Sequence, residues 1–375
     1  MNSLLYSIRG FKVGDPAFTF DYESKGFDRS VWSKVEETST DSQIHFIASK
    51  DFENVNFFQN MSSTYDFSNL KVYINGELTN QVANSISAKA GDDIAIKYTG
   101  EGGPKYPWFG YRNRTPYGSA IDYVKSIEEP LPLMYQDNGD PVTDFSSCFS
   151  DCVTLESIPA GLFKNNPQVT DLNHCFDSCT GLTILPEGLF DNCSNVTSFQ
   201  WCFGKCTNLT NIPSGLFSSC SKVTIFIDCF RKCASLTAIP AGLFDNNTQV
   251  TNFSYCFEGC SSITAIPEGL FDNNIQVESF SECFQNCSAL TSIPLTLFNN
   301  NIKVNNVSHC FDGCSLLTVA VQIGSTATSV RPFDTVRFAY NTAGIGTVYC
   351  KENSAMYNAF IELGIAYTNV NVLTY

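Results

Sequence analysis

The segment Cys229 to Phe253, CFRKCASLTAIPAGLFDNNTQVTNF, decides the fold because close copies of it recur at a fixed spacing. A Cys-Phe pair, with a further cysteine four residues after the first, returns every 27 residues, as from Cys148 to Cys175. The first cysteines of the seven copies are Cys148, Cys175, Cys202, Cys229, Cys256, Cys283 and Cys310. A strict period of this length indicates a stacked repeat array.

Apolar residues keep the same phase as the cysteines. Leucine or isoleucine follows each first cysteine by seven residues, as at Leu182, and phenylalanine follows nearly every one by fifteen, as at Phe163 and Phe244. A residue type that occurs once per unit meets its own copy in the next unit when the units stack. We therefore predict that these positions form a continuous core.

Each unit also contains two similar halves, of 14 and 13 residues. In this alignment the second cysteine of each pair, such as Cys179, matches a set of asparagines and cysteines in the other half. These are Asn166, Cys193, Cys220, Asn247, Asn274 and Asn301. A small polar side chain at these positions is expected to satisfy backbone groups that would otherwise be buried without a partner.

The cysteines favour buried thiols over two other roles. Zinc sites use paired C-x-x-C knuckles with histidine, and this chain has a C-x-x-x-C spacing in every unit and only 3 His. A disulfide within one pair would be strained on a single turn. The first cysteine aligns with Leu162, Leu189 and Leu216, so it occupies an apolar position, where a free thiol packs as a small hydrophobic group.

The repeat string resembles the BspA-like leucine-rich-repeat surface proteins of gut Bacteroidetes and their phages, over about residues 122–323. The segment Gly346-Thr-Val-Tyr-Cys350 and the residues after it are similar to the strand, helix and strand that close such arrays. The resemblance implies adhesion or recognition outside a cell and no chemistry. It gives an α+β fold class: a leucine-rich-repeat solenoid with an N-terminal β-sandwich-like domain and a C-terminal strand-helix-strand cap.

The two ends of the chain differ from the array. We predict an N-terminal β domain over 1–120 with its own core and an attachment role, a degenerate first repeat over 121–147, the solenoid over 148–323 and a cap over 324–375. Strands are expected at Phe18–Tyr22, Gln43–Ala48, Lys71–Ile74 and Asp93–Tyr98, with turns at Asn75-Gly76 and Gly91-Asp92. The aromatic stretch 102–119 is either an attachment loop or an irregular packed loop.

The net charge and the amino-acid composition exclude some classes of partner. A formal charge of −15 and a pI near 4.6, with only 22 basic residues, argue against nucleic acid. No stretch reaches the roughly 18 apolar residues that span a bilayer, and the opening residues lack the pattern of an export signal. We expect that a leader was removed or that the protein assembles into a virus particle inside a bacterium.

Sites for chemistry are not evident in the sequence. His174 and His309 share one repeat phase, and there is no nucleophile elbow, P-loop or H-E-x-x-H motif, so we expect no enzyme, no catalytic residues, no metal and no cofactor. Carboxylates recur after Leu-Phe and after Cys-Phe, and we interpret them as a solvated acidic edge. They are Asp191, Asp245 and Asp272, and Asp177, Glu258 and Asp312.

The residue before each Cys-Phe pair is the informative variable position, and we call the set the variable row. Its members are Ser147, His174, Trp201, Asp228, Tyr255, Glu282 and His309. Aromatic faces stack on sugars and carboxylates accept their hydroxyls, so a glycan or a protein could bind an outward row of this kind. An unconstrained surface is the alternative. We predict a binding site at His174, Trp201, Asp228, Tyr255 and Glu282.

These observations lead to one preferred function and two alternatives. The preferred function is a non-enzymatic virion component of a gut-bacterium phage, attached to other virion proteins through 1–120 and binding host or mucosal glycan or protein through the solenoid. The first alternative is a secreted or lipid-anchored BspA-like adhesin on a bacterial surface. The second is a purely structural assembly scaffold.

Overall fold

The structure is a computed structural model, and it describes residues 43–58, 66–99, 106–107, 123–135, 139–326, 338–339, 342–344, 346–363 and 370–374. Strands, bridges and turns make up most of this part of the chain, and its one α-helix is Ala355–Leu363. The expected strand at Phe18–Tyr22 and all of the 102–119 stretch except 106–107 lie outside the described residues.

Two antiparallel sheets form the N-terminal part. Their strands are β1 Ile44–Ala48, β2 Phe52–Val55, β3 Leu70–Ile74, β4 Glu77–Val82, β5 Ile86–Ala88, β6 Asp93–Tyr98 and β8 Val124–Ile127. The larger sheet has five strands in the order β4-β3-β6-β1-β8, and the smaller sheet pairs β2 with β5. A 3-10 helix precedes β3 at Phe67–Asn69, and β7 (Tyr106–Pro107) pairs in parallel with β9 (Met134–Tyr135). Three of the expected strands are present.

The predicted Asn75-Gly76 turn joins β3 to β4. Both residues have positive φ, 52° at Asn75 and 80° at Gly76, and Ile74 pairs with Glu77 across the turn. Two consecutive positive φ values are the requirement of the two-residue hairpin that Asn-Gly favours.

Strand β8 belongs to both the N-terminal sheet and the repeat array. It pairs antiparallel with β1, as Phe46 with Ile127, and on its other edge Ser126 bridges in parallel to Ser157. The buried apolar residues of the two parts form one continuous cluster. This differs from the expectation of separate cores, because the first repeat uses β8 to close the sheet and to start the stack.

A buried ionic cluster lies where these strands meet. The His45 Nε2 atom in β1 is 2.6 Å from Asp93 Oδ1 in β6, and its Nδ1 atom is 3.5 Å from Glu129 Oε1, just after β8. Burial opposes a charge on this imidazole, but the hydrogen bonds and charges of the two carboxylates outweigh it and raise the pKa of His45 from 6.5 to about 9. The ring is therefore a cation at neutral pH.

Residues from 139 to 326 form turns and single bridges that repeat every 27 residues, and we call each 27-residue unit a coil. Single parallel bridges link successive coils, as Asp171 to Ser198 in one half of the coil and Ile184 to Asn211 in the other. The turn that carries each Cys-Phe pair donates backbone N–H groups to the next coil, with His174 N 2.8 Å from Gln200 O. The degenerate first repeat joins the same stack, since Asp144 bridges in parallel to Asp171.

Columns of phenylalanine fill the interior. Rings one coil apart stack nearly parallel, as Phe176 on Phe203 at a centroid distance of 5.4 Å and Phe217 on Phe244 at 6.0 Å. Tilted contacts, such as Phe199 with Phe217 at 4.7 Å, join one column to another. These residues are fully buried, so the predicted phase of the core is confirmed.

The second cysteines and their asparagine counterparts form equivalent hydrogen bonds. The Cys233 thiol donates to the Phe203 carbonyl at 3.2 Å, and the Asn274 amide donates to the carbonyls of Phe244 and Asn247 at 3.2 and 3.0 Å. Each side chain satisfies a buried carbonyl of the preceding coil, which confirms the expected equivalence. All 17 cysteines are buried and free, as predicted.

The C-terminal part is a parallel sheet of three strands, β10 (Ala320–Ile323), β11 (Gly346–Cys350) and β12 (Val370–Thr374), with helix α1 (Ala355–Leu363) between the last two. It covers the last coil through Phe338, whose carbonyl accepts from the Phe311 N–H group at 2.9 Å. The Phe338 ring packs edge-on against Phe311 and Phe360. The expected strand, helix and strand are therefore found.

Candidate functional site

All seven residues of the variable row have left-handed backbone. Their φ values lie between 54° at His309 and 60° at Tyr255. The residue four positions later in each coil is also left-handed, with φ from 56° at Lys205 to 74° at Gly259. The turn of each coil thus requires positive φ at two positions, which for L side chains other than asparagine, aspartate and histidine is unfavourable by roughly 1 to 2 kcal/mol.

The two left-handed positions use different residues. The later one carries aspartate, asparagine or glycine in four coils, as at Gly259, Asn286 and Gly313, and serine or lysine in the other three. The variable row has neither glycine nor asparagine in any copy, and it places a bulky or long side chain at Trp201 and at Tyr255. The geometry of the coil explains the positive φ, but it does not explain this choice of side chains.

A second row, the residue after each Cys-Phe pair, lies beside the variable row and complements it. In three coils the residues three apart contact each other: His174 Nδ1 lies 3.2 Å from Asp177, Asp228 forms an ion pair with Arg231 at 3.1 Å, and His309 Nδ1 lies 2.7 Å from Asp312. Asp177, Glu258 and Asp312 are buried. The expectation that these three form a solvated acidic edge was therefore wrong, because each carboxylate contacts a basic side chain of the same or a neighbouring coil. Asp191, Asp245 and Asp272, in the other half of the coil, are exposed.

Arg231, a member of the second row, contacts the central residues of the variable row. Its guanidinium is 5.1 Å from the ring centroid of Trp201 in the preceding coil and 5.0 Å from that of Tyr255 in the next. The same group is 3.1 Å from Asp228 and 2.7 Å from Glu258. A planar cation between two aromatic rings and two buried carboxylates is held in one orientation.

Trp201 depends on a glycine to fit against the turn. A Cβ atom added to Gly204 would overlap Cε3 of the indole and lie 3.1 Å from Cζ3. His174 stacks on the same indole at a centroid distance of 5.9 Å, with the planes 6° apart, and the Lys205 ammonium is 5.0 Å from its centroid. His174 in the preceding coil and Arg231 in the next coil therefore cover the two faces of the indole, and its edge is the part that remains exposed.

This arrangement differs from the expected outward row with free aromatic faces. Trp201, Tyr255 and Glu282 are half-buried and Asp228 is buried. The left-handed backbone directs each side chain along the array, onto its neighbours in adjacent coils. Trp201 also contributes to stability, because its ring contacts three charged or aromatic side chains.

Burial changes the acid-base properties of the centre. It raises the pKa of Asp228 to about 6, against the opposing effect of Arg231, and the charges of Glu258 and Glu282 add to the rise. Burial and the hydrogen bond to Glu282 raise the pKa of Tyr255 to about 12, so its hydroxyl is a donor at neutral pH. Asp228 gains a proton when the pH falls through about 6.

The thiols do not add reactive groups to this surface. Burial raises the pKa of every first cysteine of a pair, as at Cys202 and Cys256, so these side chains remain neutral. Among the described residues, no group of three His, Cys, Asp or Glu side chains could hold a metal ion. In the same part of the chain, no helix is long and apolar enough to cross a bilayer.

Arg231 and Gly204 belong to the site although neither was predicted from the sequence. A signal was present, because in four coils the residues three apart are chemically matched: His with Asp twice, Trp with Gly, and Asp with Arg. The structure brings His174, Trp201, Asp228, Tyr255 and Glu282 into one strip across five coils, as expected from their phase.

Comparisons with known proteins give little support. The chain matches no protein-family model, and no curated protein matches it. Among solved structures it is similar to a leucine-rich cell surface protein from Faecalibacterium prausnitzii A2-165, with 18% sequence identity over 71% of this chain and 92% of that chain and a TM-score of 0.17. Both values are low, so the function of this chain has to be inferred from its own side chains.

Proposed function

We propose that this chain is a leucine-rich-repeat solenoid of the BspA-like type and that it acts as a non-enzymatic recognition protein through the variable row. The BspA-like resemblance of the sequence implies a place on a bacterial or virion surface, with residues 1–120 as the attachment part. The row from His174 to Glu282 is the ligand site, and Trp201, Arg231 and Tyr255 form its centre.

One observation carries this proposal. The variable row keeps Trp201, Tyr255 and Glu282 on left-handed backbone, whose conformation by itself favours glycine or asparagine. Gly204 makes room for the indole, and Arg231 fixes both rings. Side chains retained at a cost to stability, and held rigidly in the middle of an array, are typical of a binding site.

The test is a double variant, Trp201→Ala with Tyr255→Ala, assayed for binding to a glycan array and to bacterial cells. We expect signals to fall by about tenfold or more, since central anchors carry most of the binding energy. A matched control, Ile184→Ala with Ile275→Ala, removes exposed apolar side chains away from the row, 60% and 47% exposed, and should bind normally.

Stability has to be measured alongside binding, because Trp201 packs against its neighbours. We expect the double variant to remain folded with a slightly lower melting temperature. Binding that survives the double change in the folded variant would favour the scaffold alternative and contradict the proposal.

A further inference from the structure

Two positions of each coil, partly exposed in most coils, form a polar ladder beside the variable row. They lie four and two residues before the first cysteine and flank a buried residue, as Ile225 and Ile227 flank Phe226. In six of the seven coils both positions are polar. The pairs are Asp144 and Ser146, Asp171 and Asn173, Ser198 and Gln200, Asn252 and Ser254, Ser279 and Ser281, and Asn306 and Ser308.

Hydrogen bonds connect the polar members from coil to coil. The Ser198 hydroxyl donates to Asn173 Oδ1 at 2.7 Å, and the hydroxyls of Ser254 and Ser279 are 2.8 Å apart. Ile225 and Ile227 interrupt this ladder, because their side chains have no polar atoms. Isolated apolar residues on a surface need no explanation. Here, however, both positions of one coil are changed together.

The apolar pair lies against the centre of the variable row. Trp201 donates its backbone N–H to the Ile227 carbonyl at 3.0 Å, and the residue after Ile227 is Asp228. Ile225 bridges to Ser198 on one side and to Asn252 on the other. Two half-buried aliphatic side chains thus lie in the coil next to Trp201, between polar positions of the coils on either side, which is the layout of a protein interface with an apolar centre and a polar rim.

The charge of this face selects the partner. In each coil, the relevant segment runs from five residues before the first cysteine to three residues after it. These segments of the seven coils together carry nine carboxylates and three basic side chains. The three bases, Lys205, Arg231 and Lys232, all lie in the coils of Trp201 and Ile225. Arg231 is held by Asp228 and Glu258, and Lys205 lies 3.9 Å from Asp177. The carboxylates of Asp144 and Asp171 occupy the same ladder as Ile225, on the N-terminal side.

We infer that this surface binds a protein segment that presents an apolar side chain flanked by lysine or arginine. The apolar side chain packs on Ile225 and Ile227 beside Trp201, and the basic side chains reach the carboxylates of the rim. A sugar ring is disfavoured, because both faces of the Trp201 indole are covered. This inference rests on the proposed recognition function and assigns its partner class.

The probes are an array of short synthetic peptides that carry one Leu, Phe or Trp flanked by Lys or Arg, matched peptides with Glu in place of the basic residues, and a neutral oligosaccharide array. The test variant is Ile225→Ser with Ile227→Gln, which installs the residues of the preceding coil, Ser198 and Gln200. The control variant, Asn306→Ser with Ser308→Gln, makes comparable changes at the same two positions three coils away.

We expect the unmodified protein to bind basic apolar peptides and not their Glu counterparts, with an affinity loss of about tenfold or more in the test variant and none in the control. Equal peptide binding by the test variant, binding to oligosaccharides alone, or no binding to any basic peptide would each overturn the inference. The Trp201→Ala/Tyr255→Ala variant separates the two proposals. If it loses binding while the isoleucine variant does not, only the partner assignment fails, and if neither loses binding, both proposals fail.

Discussion

At the residue scale, Trp201 and Gly204 work as a pair, because the indole lies where a side chain at 204 would be. Gly204→Ala should displace the ring from Arg231 and His174 and lower the free energy of unfolding by about 1 to 3 kcal/mol through overpacking. The control is Gly215→Ala, whose added Cβ atom would have only the Ser218 hydroxyl within 4 Å, at 3.9 Å. Urea unfolding of both variants measures the effect, and equal midpoints would contradict the packing of Trp201.

His45 allows a prediction of pH dependence. Its folded-state pKa of about 9 lies above the ordinary 6.5, so its ion pairs stabilise the fold fully below about pH 6.5. This stabilisation, on the order of 3 kcal/mol, is lost as the pH rises through about 9. The melting temperature should therefore fall between pH 7 and 10.

The control for this effect is a pair of variants measured over the same pH range. His45→Gln should melt lower at pH 6 and lose most of the slope, because glutamine does not titrate. His309→Gln, at the other end of the array, should keep the slope. If the unmodified protein and His45→Gln gave parallel curves, the buried ion pairs would not be the cause.

At the element scale, the asparagine and cysteine column holds neighbouring coils together. Asn274→Leu would leave the buried carbonyls of Phe244 and Asn247 without their donor, at a cost of about 2 to 4 kcal/mol. Asn274→Cys should cost less, since Cys220 occupies the equivalent position with its thiol 3.9 Å from the Phe190 carbonyl. Asn273→Leu, on the adjacent exposed residue, is the control. The order of urea midpoints checks the prediction, and equal loss in the Leu and Cys variants would contradict it.

The elements also show which features the sequence could predict. The columns of Phe176 and Cys233 followed from the period alone, because stacking places equivalent residues in contact. The Asn75-Gly76 hairpin followed from local backbone preferences. The shared use of β8 did not, since it depends on which strand edges meet. The burial of Asp228 also did not, because spacing gives the phase of a residue but not the direction that a left-handed backbone imposes on its side chain.

At the scale of the whole molecule, the ends of the stack need covering. Removal of residues from Thr347 onward deletes most of β11 together with α1 and β12, including the buried Val348 and Phe360. The remaining apolar edge should cause self-association, because terminal repeats require a polar outer face.

Light scattering after size-exclusion chromatography measures this effect. A milder variant, Phe360→Ala, should remain monomeric but lose about 3 kcal/mol, because its ring packs against Phe338 at a centroid distance of 5.2 Å. A truncated chain that stayed monomeric and melted normally would show that α1 and the strands beside it do not protect the last coil.

The interfaces between successive coils are built from the same columns of residues, and this has a consequence for how such a gene can evolve. A deletion of residues 256–282 would join Tyr255 directly to Cys283, and every Phe, Cys and Asn column would continue across the join. Unequal recombination between the repeats can therefore shorten or lengthen the protein by whole coils without a new core, whereas a deletion of one residue fewer would put every later side chain out of phase. Each such event brings residues that were two coils apart into adjacency, as with Tyr255 and His309 after this deletion. The variable row can thus change its order of side chains by the gain or loss of whole repeats, while the interior stays the same.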